Sequence, residues 1–309
     1  MSKNIQLKDL GRDDIEFCWG ELPLFRYVAS PQVPASECPK PYFHPIRNLQ
    51  GDVITNFRPN DHPWHQGLSM TMTRVNETNF WGGVTYRKED GYQMRNNVGS
   101  QNHIAWLERS QDTTQARLKE SLIWRNESGV DYFSEIRGIE ATVFPEIQCW
   151  HLKLSFEFEN ISGKTLRLGT YESEEGLAGS HYTGLFLRLS RDYFGCGENE
   201  PLGTYLADGQ RGVAAIHGTP ADWMACVGRH DNSDSVTTLI CCDHAENPHY
   251  PTRWFYRPGM PSLAMPFVGS GAISLSAGER LRLRYDLIVA DGALMADEVR
   301  QRIQACGSA

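Results

Sequence analysis

Apolar and polar residues alternate strictly over residues 152–159, Leu-Lys-Leu-Ser-Phe-Glu-Phe-Glu. Successive side chains of a β-strand point to opposite faces of the sheet, so this pattern predicts a strand with one buried and one exposed face. The alternation ends at residues 160–164, where Asn, Ser and Gly are concentrated, a composition typical of turns. We therefore predict a half-buried strand followed by a turn.

The same period recurs along the chain between clusters of Gly, Pro, Asn and Asp. It predicts further strands at residues 166–168, 185–189, 236–241 and 281–287. Many half-buried strands divided by turns are typical of antiparallel sheets. Helical spacing of apolar residues is found near the C-terminus, at Met295, Val299 and Ile303, and predicts one short amphipathic helix.

No linker, repeat or low-complexity tract divides the 309 residues. We therefore predict a single all-β sandwich domain over residues 1–309 with a short C-terminal helix. Two domains are the alternative, although β architectures commonly exceed 200 residues as one domain.

Charge and composition narrow the classes of partner. The formal net charge is −8 and no Lys- or Arg-rich stripe stands out, which argues against nucleic acid or an anionic membrane. The N-terminal residues lack an apolar signal region, and no run approaches the ~18 apolar residues of a membrane span. We therefore expect a cytoplasmic protein. The eight cysteines include no C-x-x-C pair and predict free, mostly buried thiols.

Two loops carry most of the polar chemistry. Residues 58–67, Arg-Pro-Asn-Asp-His-Pro-Trp-His-Gln-Gly, contain two prolines that oppose both helix and strand. Residues 243–254, Asp-His-Ala-Glu-Asn-Pro-His-Tyr-Pro-Thr-Arg-Trp, repeat the same residue types. Because shaped loops often carry functional residues, we predict that the two loops and His44 line one concave pocket.

His62 and His65 are the leading chemical candidates. Residues three apart in a strand point to opposite faces, so these imidazoles converge only if the loop turns. Such a pair supplies a general acid or base, hydrogen bonds to hydroxyl groups, or metal nitrogens. The alternative is a pair of structural histidines. The spacing matches no metal signature, so we predict no cofactor, with a divalent metal bound by histidines and Asp61 or Asp243 as the alternative.

Aromatic residues make up 11% of the chain, and several lie in or near these polar segments. They are Tyr42, Phe43, Trp64, Phe80, Trp81, Tyr182, Trp223, Trp254 and Tyr256. An aromatic ring beside hydroxyl-binding groups suits a sugar, which has an apolar C–H face and a rim of hydroxyls. We expect about two or three of these rings to line the pocket.

Three motifs together resemble a known family. Residues 41–47 (Pro-Tyr-Phe-His-Pro-Ile-Arg), 61–68 (Asp-His-Pro-Trp-His-Gln-Gly-Leu) and 75–82 (Val-Asn-Glu-Thr-Asn-Phe-Trp-Gly) are similar to bacterial proteins labelled methane oxygenase PmoA-like, whose function is unassigned. The resemblance departs from the family pattern at residues 180–182, where glycine and tyrosine are expected rather than His181. A membrane methane monooxygenase subunit needs long apolar helices, which this chain lacks, so we reject methane oxidation.

The layout is also similar to the galactose mutarotase-like supersandwich. There, early loop histidines and a later histidine bind and protonate a sugar ring oxygen, and a downstream carboxylate acts as base. The resemblance implies that His62 and His65 take the early positions, His181 the later one, and residues 243–248 the acidic loop. Fold similarity alone does not determine the reaction.

These observations predict a galactose mutarotase-like β-supersandwich that binds a small carbohydrate. We expect acid/base chemistry on a sugar or oxidised sugar, by epimerisation, elimination or hydrolysis. The predicted catalytic residues are His65, as the principal acid or base, His62, Asp243 and Glu246. The predicted substrate-binding residues are His44, Arg58, Asp61, Trp64, His181, Arg211, His244, Asn247, Arg253 and Trp254. The alternatives are a non-catalytic sugar-binding module and a histidine-liganded metal enzyme, and the oligomeric state is left open.

Overall fold

The alternating segments form strands in a computed structural model that describes residues 3–194, 204–206, 209–231, 233–257 and 259–308. The strands are β1 (Ile5–Gly11), β2 (Asp14–Trp19), β3 (Leu22–Val28), β4 (Tyr42–Ile46), β5 (Leu68–Thr71), β6 (Arg74–Val75), β7 (Thr85–Arg87), β8 (Gly91–Gln93), β9 (Ser100–Gln111), β10 (Gln115–Arg125), β11 (Asp131–Phe144), β12 (Cys149–Asn160), β13 (Leu166–Gly169), β14 (Gly184–Arg188), β15 (Thr204–Leu206), β16 (Trp223–Arg229), β17 (Val236–Asp243), β18 (Phe255–Arg257), β19 (Ser262–Met265), β20 (Ile273–Leu275) and β21 (Arg280–Asp291). The helices in these residues are α1 (Tyr171–Glu175), α2 (Val213–Ile216) and α3 (Ala296–Cys306).

Two eight-stranded antiparallel sheets dominate the structure. The first sheet has the order β1-β2-β3-β4-β5-β14-β19-β18, and the second has the order β15-β16-β17-β21-β12-β11-β10-β9. Smaller sheets are formed by β20-β13-β6 and β7-β8. The predicted all-β antiparallel class with a short C-terminal helix is therefore confirmed.

The core lies between the two large sheets. Along β12, Leu152, Leu154, Phe156 and Phe158 are buried, while the polar residues between them lie on the opposite face. Side chains from both sheets belong to one apolar cluster, and the ring of Phe25 stacks 5.5 Å from that of Trp150 across the interface. The predicted strand and its inward face are confirmed.

Helix α3 packs on the outer face of the second sheet. Val299 is buried in a separate apolar cluster with Trp223, Ile240 and Ile288. Met295, which the sequence pattern placed on the same face, is instead 49% exposed and is the N-cap residue. No helix among the described residues has the length and apolarity to cross a membrane. The described cysteines are buried and unbridged, as predicted.

A charged network is buried inside the sandwich. Arg137 donates from Nε and Nη2 to the Glu135 carboxylate at 2.7 and 3.0 Å, and from Nη1 to the Tyr27 hydroxyl at 3.1 Å. Tyr27 donates to Glu120, and Trp124 Nε1 donates to Glu135 at 2.6 Å. Burial raises the pKa of Glu135 although Arg137 opposes the shift. The guanidinium thus compensates carboxylates that have no access to water.

Replacing Arg137 should therefore destabilise the fold strongly. We expect Arg137→Met to lower the free energy of unfolding by about 3–5 kcal/mol, because two buried carboxylates lose their cation. The matched control is Arg117→Met, whose solvent-screened pair with Glu140 should contribute little to stability. Urea denaturation measures both. Equal effects of the two substitutions would contradict this account of the network.

Candidate functional site

The loop at residues 58–67 folds through consecutive turns. The amide of His62 donates to the Pro59 carbonyl at 3.0 Å, and the amide of His65 donates to the His62 carbonyl at 2.9 Å. Gly67 ends the loop with a φ of +60°, and a Cβ there would collide with the carbonyl of Phe43. The turns place both imidazoles on one side, so the convergence that the sequence required is present.

A buried ammonium group fixes this loop to its neighbours. Lys40 is 1% exposed, and its Nζ donates to the carbonyl oxygens of Glu37, Cys38, Trp64 and Trp81 at 3.0–3.5 Å. Burial lowers the pKa of Lys40. The ammonium therefore joins the two loops that carry the indoles of Trp64 and Trp81.

The loop at residues 58–67 is also held by close contact with a neighbouring backbone segment and by an ion pair. Gly82 and Gly83 both have positive φ, and a Cβ on either would collide with Trp64. Arg58 forms a bidentate pair with Glu37, with Nε and Nη2 at 2.7 and 2.6 Å from the carboxylate. Arg58 therefore supports the loop, and it lines a different groove from the one that His62 and His65 line, so its substrate-binding role stays a prediction.

The supported loops enclose a cavity of about 370 Å³ on the face of the first sheet that points away from the core. Its described lining consists of His62, Trp64, His65, Trp81, Val84, Tyr92, Tyr182, Phe186, Phe255, Arg257, Met260 and Ser262. No aspartate or glutamate is among these residues. The volume and the mixture of rings with few polar groups are typical of small-molecule sites.

Aromatic rings form the apolar wall. The ring of Trp81 lies 4.6 Å from that of Tyr182 and 4.5 Å from that of Phe186, and Tyr182 lies 5.0 Å from Phe255. Trp64, Trp81 and Tyr182 are three of the nine aromatic residues singled out in the sequence. The expected number of such rings at the pocket is therefore found.

Four polar side chains meet at one end of the cavity. Nδ1 of His62 lies 3.1 Å from the Asp61 carboxylate, and Asp61 lies 3.4 Å from Arg188 Nη2. Nη1 of Arg188 lies 3.2 Å from Nδ1 of His65, and the two imidazole rings stack with centroids 4.7 Å apart. Burial raises the pKa of Asp61, but the opposing effect of His62 and Arg188 is larger, so the net pKa is lowered. The carboxylate is therefore ionised at neutral pH.

His65 is neutral in this arrangement. Burial lowers its pKa well below the usual range, and the charges of His62, Arg188 and Lys40 add to the effect. A guanidinium only donates hydrogen bonds, so Nδ1 of His65 accepts from Arg188 and the proton lies on Nε2. His65 therefore offers an N–H donor, which differs from its predicted role as the principal acid or base.

The second predicted loop does not reach the cavity. Asp243 accepts hydrogen bonds from Asn247 Nδ2 at 2.7 Å and from the Thr252 amide at 2.9 Å. Asn247 also binds the backbone of Arg284 on β21, and Glu246 is exposed beside Arg284. His244 lines a different groove on the outer face of the second sheet. The prediction that both loops line one pocket is wrong, because hydrogen bonds hold this loop against β21.

Three further predicted residues lie behind the cavity wall. Trp254 is fully buried and donates from Nε1 to the Ala221 carbonyl at 2.9 Å, so it cannot stack on a ligand. His181 is 3.6 Å from Glu172, and Arg253 is 3.2 Å from the same carboxylate. The ring of Phe255 separates this group from the cavity.

The remaining predicted residues are also elsewhere. His44 is half-buried and forms a 2.8 Å hydrogen bond between Nδ1 and the Thr55 hydroxyl. Arg211 is exposed near Met295, whose Sδ lies 3.9 Å from its Nη2. The first loop thus supplies His62, Trp64 and His65 to the cavity and Asp61 beside them. Among the described residues, no group of three or more His, Cys, Asp or Glu side chains is arranged for a metal.

Sequence reasoning missed the floor of the cavity. Phe186 and Arg188 alternate with core residues on β14, Phe255 and Arg257 do so on β18, and Ser262 lies on β19. The sequence did offer one indication of these residues. In the predicted strand at residues 185–189, Arg188 lies two positions after Phe186 and therefore on the same face. Alternation alone did not show that the outward face was covered by loops.

Comparison with known proteins places the chain in a family. The profile described as "Family of unknown function (DUF6807)" matches residues 14–304. The chain belongs to this family. No curated protein matches the sequence. The predicted PmoA-like label remains a prediction, and the family's description assigns no activity.

Solved structures with similar folds have names that refer to sugars. The chain is similar to the GH36 α-galactosidase AgaB from Geobacillus stearothermophilus (12% identity, 94% of this chain and 41% of that chain, TM-score 0.41). It is similar to the galactosidase domain of α-galactosidase-sucrose kinase AgaSK (8% identity, 93% and 42%, TM-score 0.39). A galactose 1-epimerase from Lactobacillus acidophilus NCFM also matches (11% identity, 94% and 99%, TM-score 0.38). The chain spans about two fifths of the first two proteins, and similarity at this level carries no argument about activity.

Lys40 should control the packing of the cavity walls in this DUF6807 member. We expect Lys40→Met to lower the free energy of unfolding by about 2–3 kcal/mol, because carbonyls of both tryptophan loops lose a charged donor. Near-ultraviolet circular dichroism should lose intensity as the indoles become less ordered. The control Lys88→Met changes an exposed lysine on the neighbouring turn. Unchanged stability and spectrum in Lys40→Met would contradict the assignment.

His181 should make folding sensitive to acid. Burial, with the charges of Arg253 and His217, lowers its pKa to about 4, whereas an unfolded imidazole has a pKa near 6.5. Because the unfolded chain then binds the additional proton, the stability from this group is present above pH ~6.5 and is lost as pH falls towards 4. We expect His181→Gln to reduce the loss of stability between pH 7 and pH 5 by about 1–2 kcal/mol.

Urea unfolding at several pH values measures this difference. The control is His249→Gln, which removes an exposed imidazole. The same pH dependence in the wild type and in His181→Gln would refute a buried neutral His181.

Proposed function

We propose that this protein binds a monosaccharide or a monosaccharide derivative in the aromatic cavity and transfers protons to and from it. The supporting observation is the meeting of an apolar ring wall with a cluster of two imidazoles, a carboxylate and a guanidinium. Rings pack against the C–H face of a sugar while the polar cluster binds its hydroxyls. The volume of about 370 Å³ suits a ligand of this size.

His62 is the proposed acid/base residue. It lines the cavity, is about one-third exposed, and has an ionised carboxylate 3.1 Å from Nδ1. A carboxylate beside one ring nitrogen can hold the imidazole in one orientation. Nε2 of His62 is then the nitrogen that exchanges a proton with the ligand.

His65 is the proposed oxygen-binding residue. Its Nε2–H can donate to an oxygen on which negative charge develops, because burial, with the charges of His62 and Arg188, lowers the pKa of His65 and keeps the imidazole neutral. A neutral imidazole can act as such an electrophile in enzymes that enolise a substrate. The two imidazoles thus have different proposed roles in one cavity.

The simplest reaction that this pair supports is sugar ring opening. His62 removes the proton from the anomeric hydroxyl, the C1–O bond to the ring oxygen breaks, and the ring oxygen takes a proton from solvent while the Nε2–H of His65 hydrogen-bonds to it. Return of the protons closes the ring in either configuration. Elimination from an oxidised sugar uses the same two roles: His62 takes a proton from the carbon beside the carbonyl, His65 binds the enolate oxygen, and the β C–O bond then breaks as the leaving oxygen takes the proton back from His62.

A non-catalytic sugar-binding module is the second candidate. It is favoured by one observation: no aspartate or glutamate is among the described residues that line the cavity. A second acid/base group on the opposite side of the ligand is therefore missing from the described lining. Binding without turnover would be the result.

Substitution of His62 separates the two candidates. We expect His62→Gln to lower kcat by about 10²–10⁴-fold, because a positioned acid/base group is lost, while the dissociation constant changes by only a few fold. Polarimetry of freshly dissolved α-D-glucose and α-D-galactose measures ring opening, and calorimetry measures binding. His249→Gln is the control on an exposed histidine. Binding by the wild type without turnover of any sugar or oxidised sugar would identify a binding module.

A further inference from the structure

Three polar residues lie in a row on neighbouring strands, and two of them, Arg257 and Ser262, line the cavity. Arg257 on β18 pairs with Ser262 on β19, and Ser262 pairs with Arg188 on β14. Directly opposed residues on neighbouring strands share a face and lie within about 5.5 Å of each other. The register therefore places Ser262 between Arg257 and Arg188, on the face that points away from the core.

The centre of this row has an unused hydrogen-bonding group. Ser262 is 1% exposed and lines the cavity. Its Oγ has no hydrogen-bond partner among the described residues, and Nε of Arg188 is also buried without one. Buried polar atoms are almost always paired, so an unpaired hydroxyl beside a cavity indicates a bound group that completes it.

The charge of the cavity is positive. Arg257 lies over the ring of Phe255, 5.4 Å from its centroid, and pairs with no carboxylate of the described residues. Arg188 already contacts Asp61 at 3.4 Å. Arg257 is exposed, and no aspartate or glutamate is in the described lining, so its guanidinium is open to an anionic group of a ligand.

We infer that the ligand is a sugar acid whose carboxylate binds Arg257 and Ser262. The inference rests on the proposed function, since it assigns a substrate class to the same cavity. The planar guanidinium matches the two oxygens of a carboxylate, and the Ser262 hydroxyl can donate to one of them. One uncommitted guanidinium balances a single charge, which favours a carboxylate over a phosphate that approaches two charges at pH 7.

The arrangement also orients the sugar. Arg257, the proposed carboxylate-binding residue, and His62, the proposed acid/base residue, both line the cavity. The rings of Trp81 and Phe186, which contact each other, also line it. A sugar acid anchored by its carboxylate would present its ring to the aromatic wall. Its hydroxyls would then face the imidazole cluster.

Binding of matched sugar pairs tests the inference. Calorimetry compares D-glucuronate with D-glucose and D-galacturonate with D-galactose, and D-glucose 6-phosphate provides the phosphate arm. We expect at least one uronate to bind about 10-fold or more tightly than its neutral partner. Arg257→Gln should remove this preference by weakening uronate binding about 10-fold or more. Arg282→Gln, an exposed arginine on the second sheet, should retain it.

The outcomes distinguish this inference from the proposed function. Equal affinity for both members of each pair would overturn the sugar-acid assignment and leave sugar binding intact. Tighter binding of D-glucose 6-phosphate than of the uronates would overturn the choice of a single negative charge. A uronate preference that survives in Arg257→Gln, with a melting temperature like the wild type, would overturn the role of Arg257. Failure to bind any sugar would overturn the proposed function as well.

Discussion

The cavity depends on a buried ammonium group that has backbone carbonyls as its hydrogen-bond partners. Lys40 binds the carbonyl oxygens of Trp64 and Trp81, which belong to loops separated along the chain. Removing a charged group from water is costly, so it is retained only where several dipoles replace the lost hydration. That requirement fixes both loops at once. The position of the indoles, and of the imidazoles beside them, follows from this contact.

The two faces of the first sheet have different environments. Its inner face contributes to an apolar core that needs close packing, whereas its outer face carries rings, a hydroxyl and guanidinium groups beneath the loops. The polar cluster at His62 and His65 is therefore separated from the core by one layer of backbone. A group can remain unpaired on the outer face because a cavity, rather than packed side chains, lies beside it.

Local patterns in the sequence predicted much of the architecture and part of the site. Strict alternation located β12 and its buried face, and the composition of residues 58–67 located the imidazole loop. The partners of that loop were not predictable from the same patterns. Lys40 and Arg188 reach it through contacts between distant parts of the chain, and residue spacing contains no information on such contacts.

The second loop shows why composition misled. Residues 243–254 contain the same residue types as the first loop, but an Asp, an Asn and a Trp can equally satisfy backbone groups. Asp243 and Asn247 do so for their own loop and β21, and Trp254 fills the core. Only the three-dimensional setting separates a ligand-binding polar residue from one that closes a turn.

The alternation of β14 and β18 has an evolutionary consequence. Leu185 and Leu187 belong to the core, while the residues between and after them, Phe186 and Arg188, contact the cavity or its histidines. Changes at the outward positions alter what the cavity accepts without disturbing the packing that maintains the fold. A few codons on two short strands can therefore change the chemistry of the cavity while the scaffold stays the same.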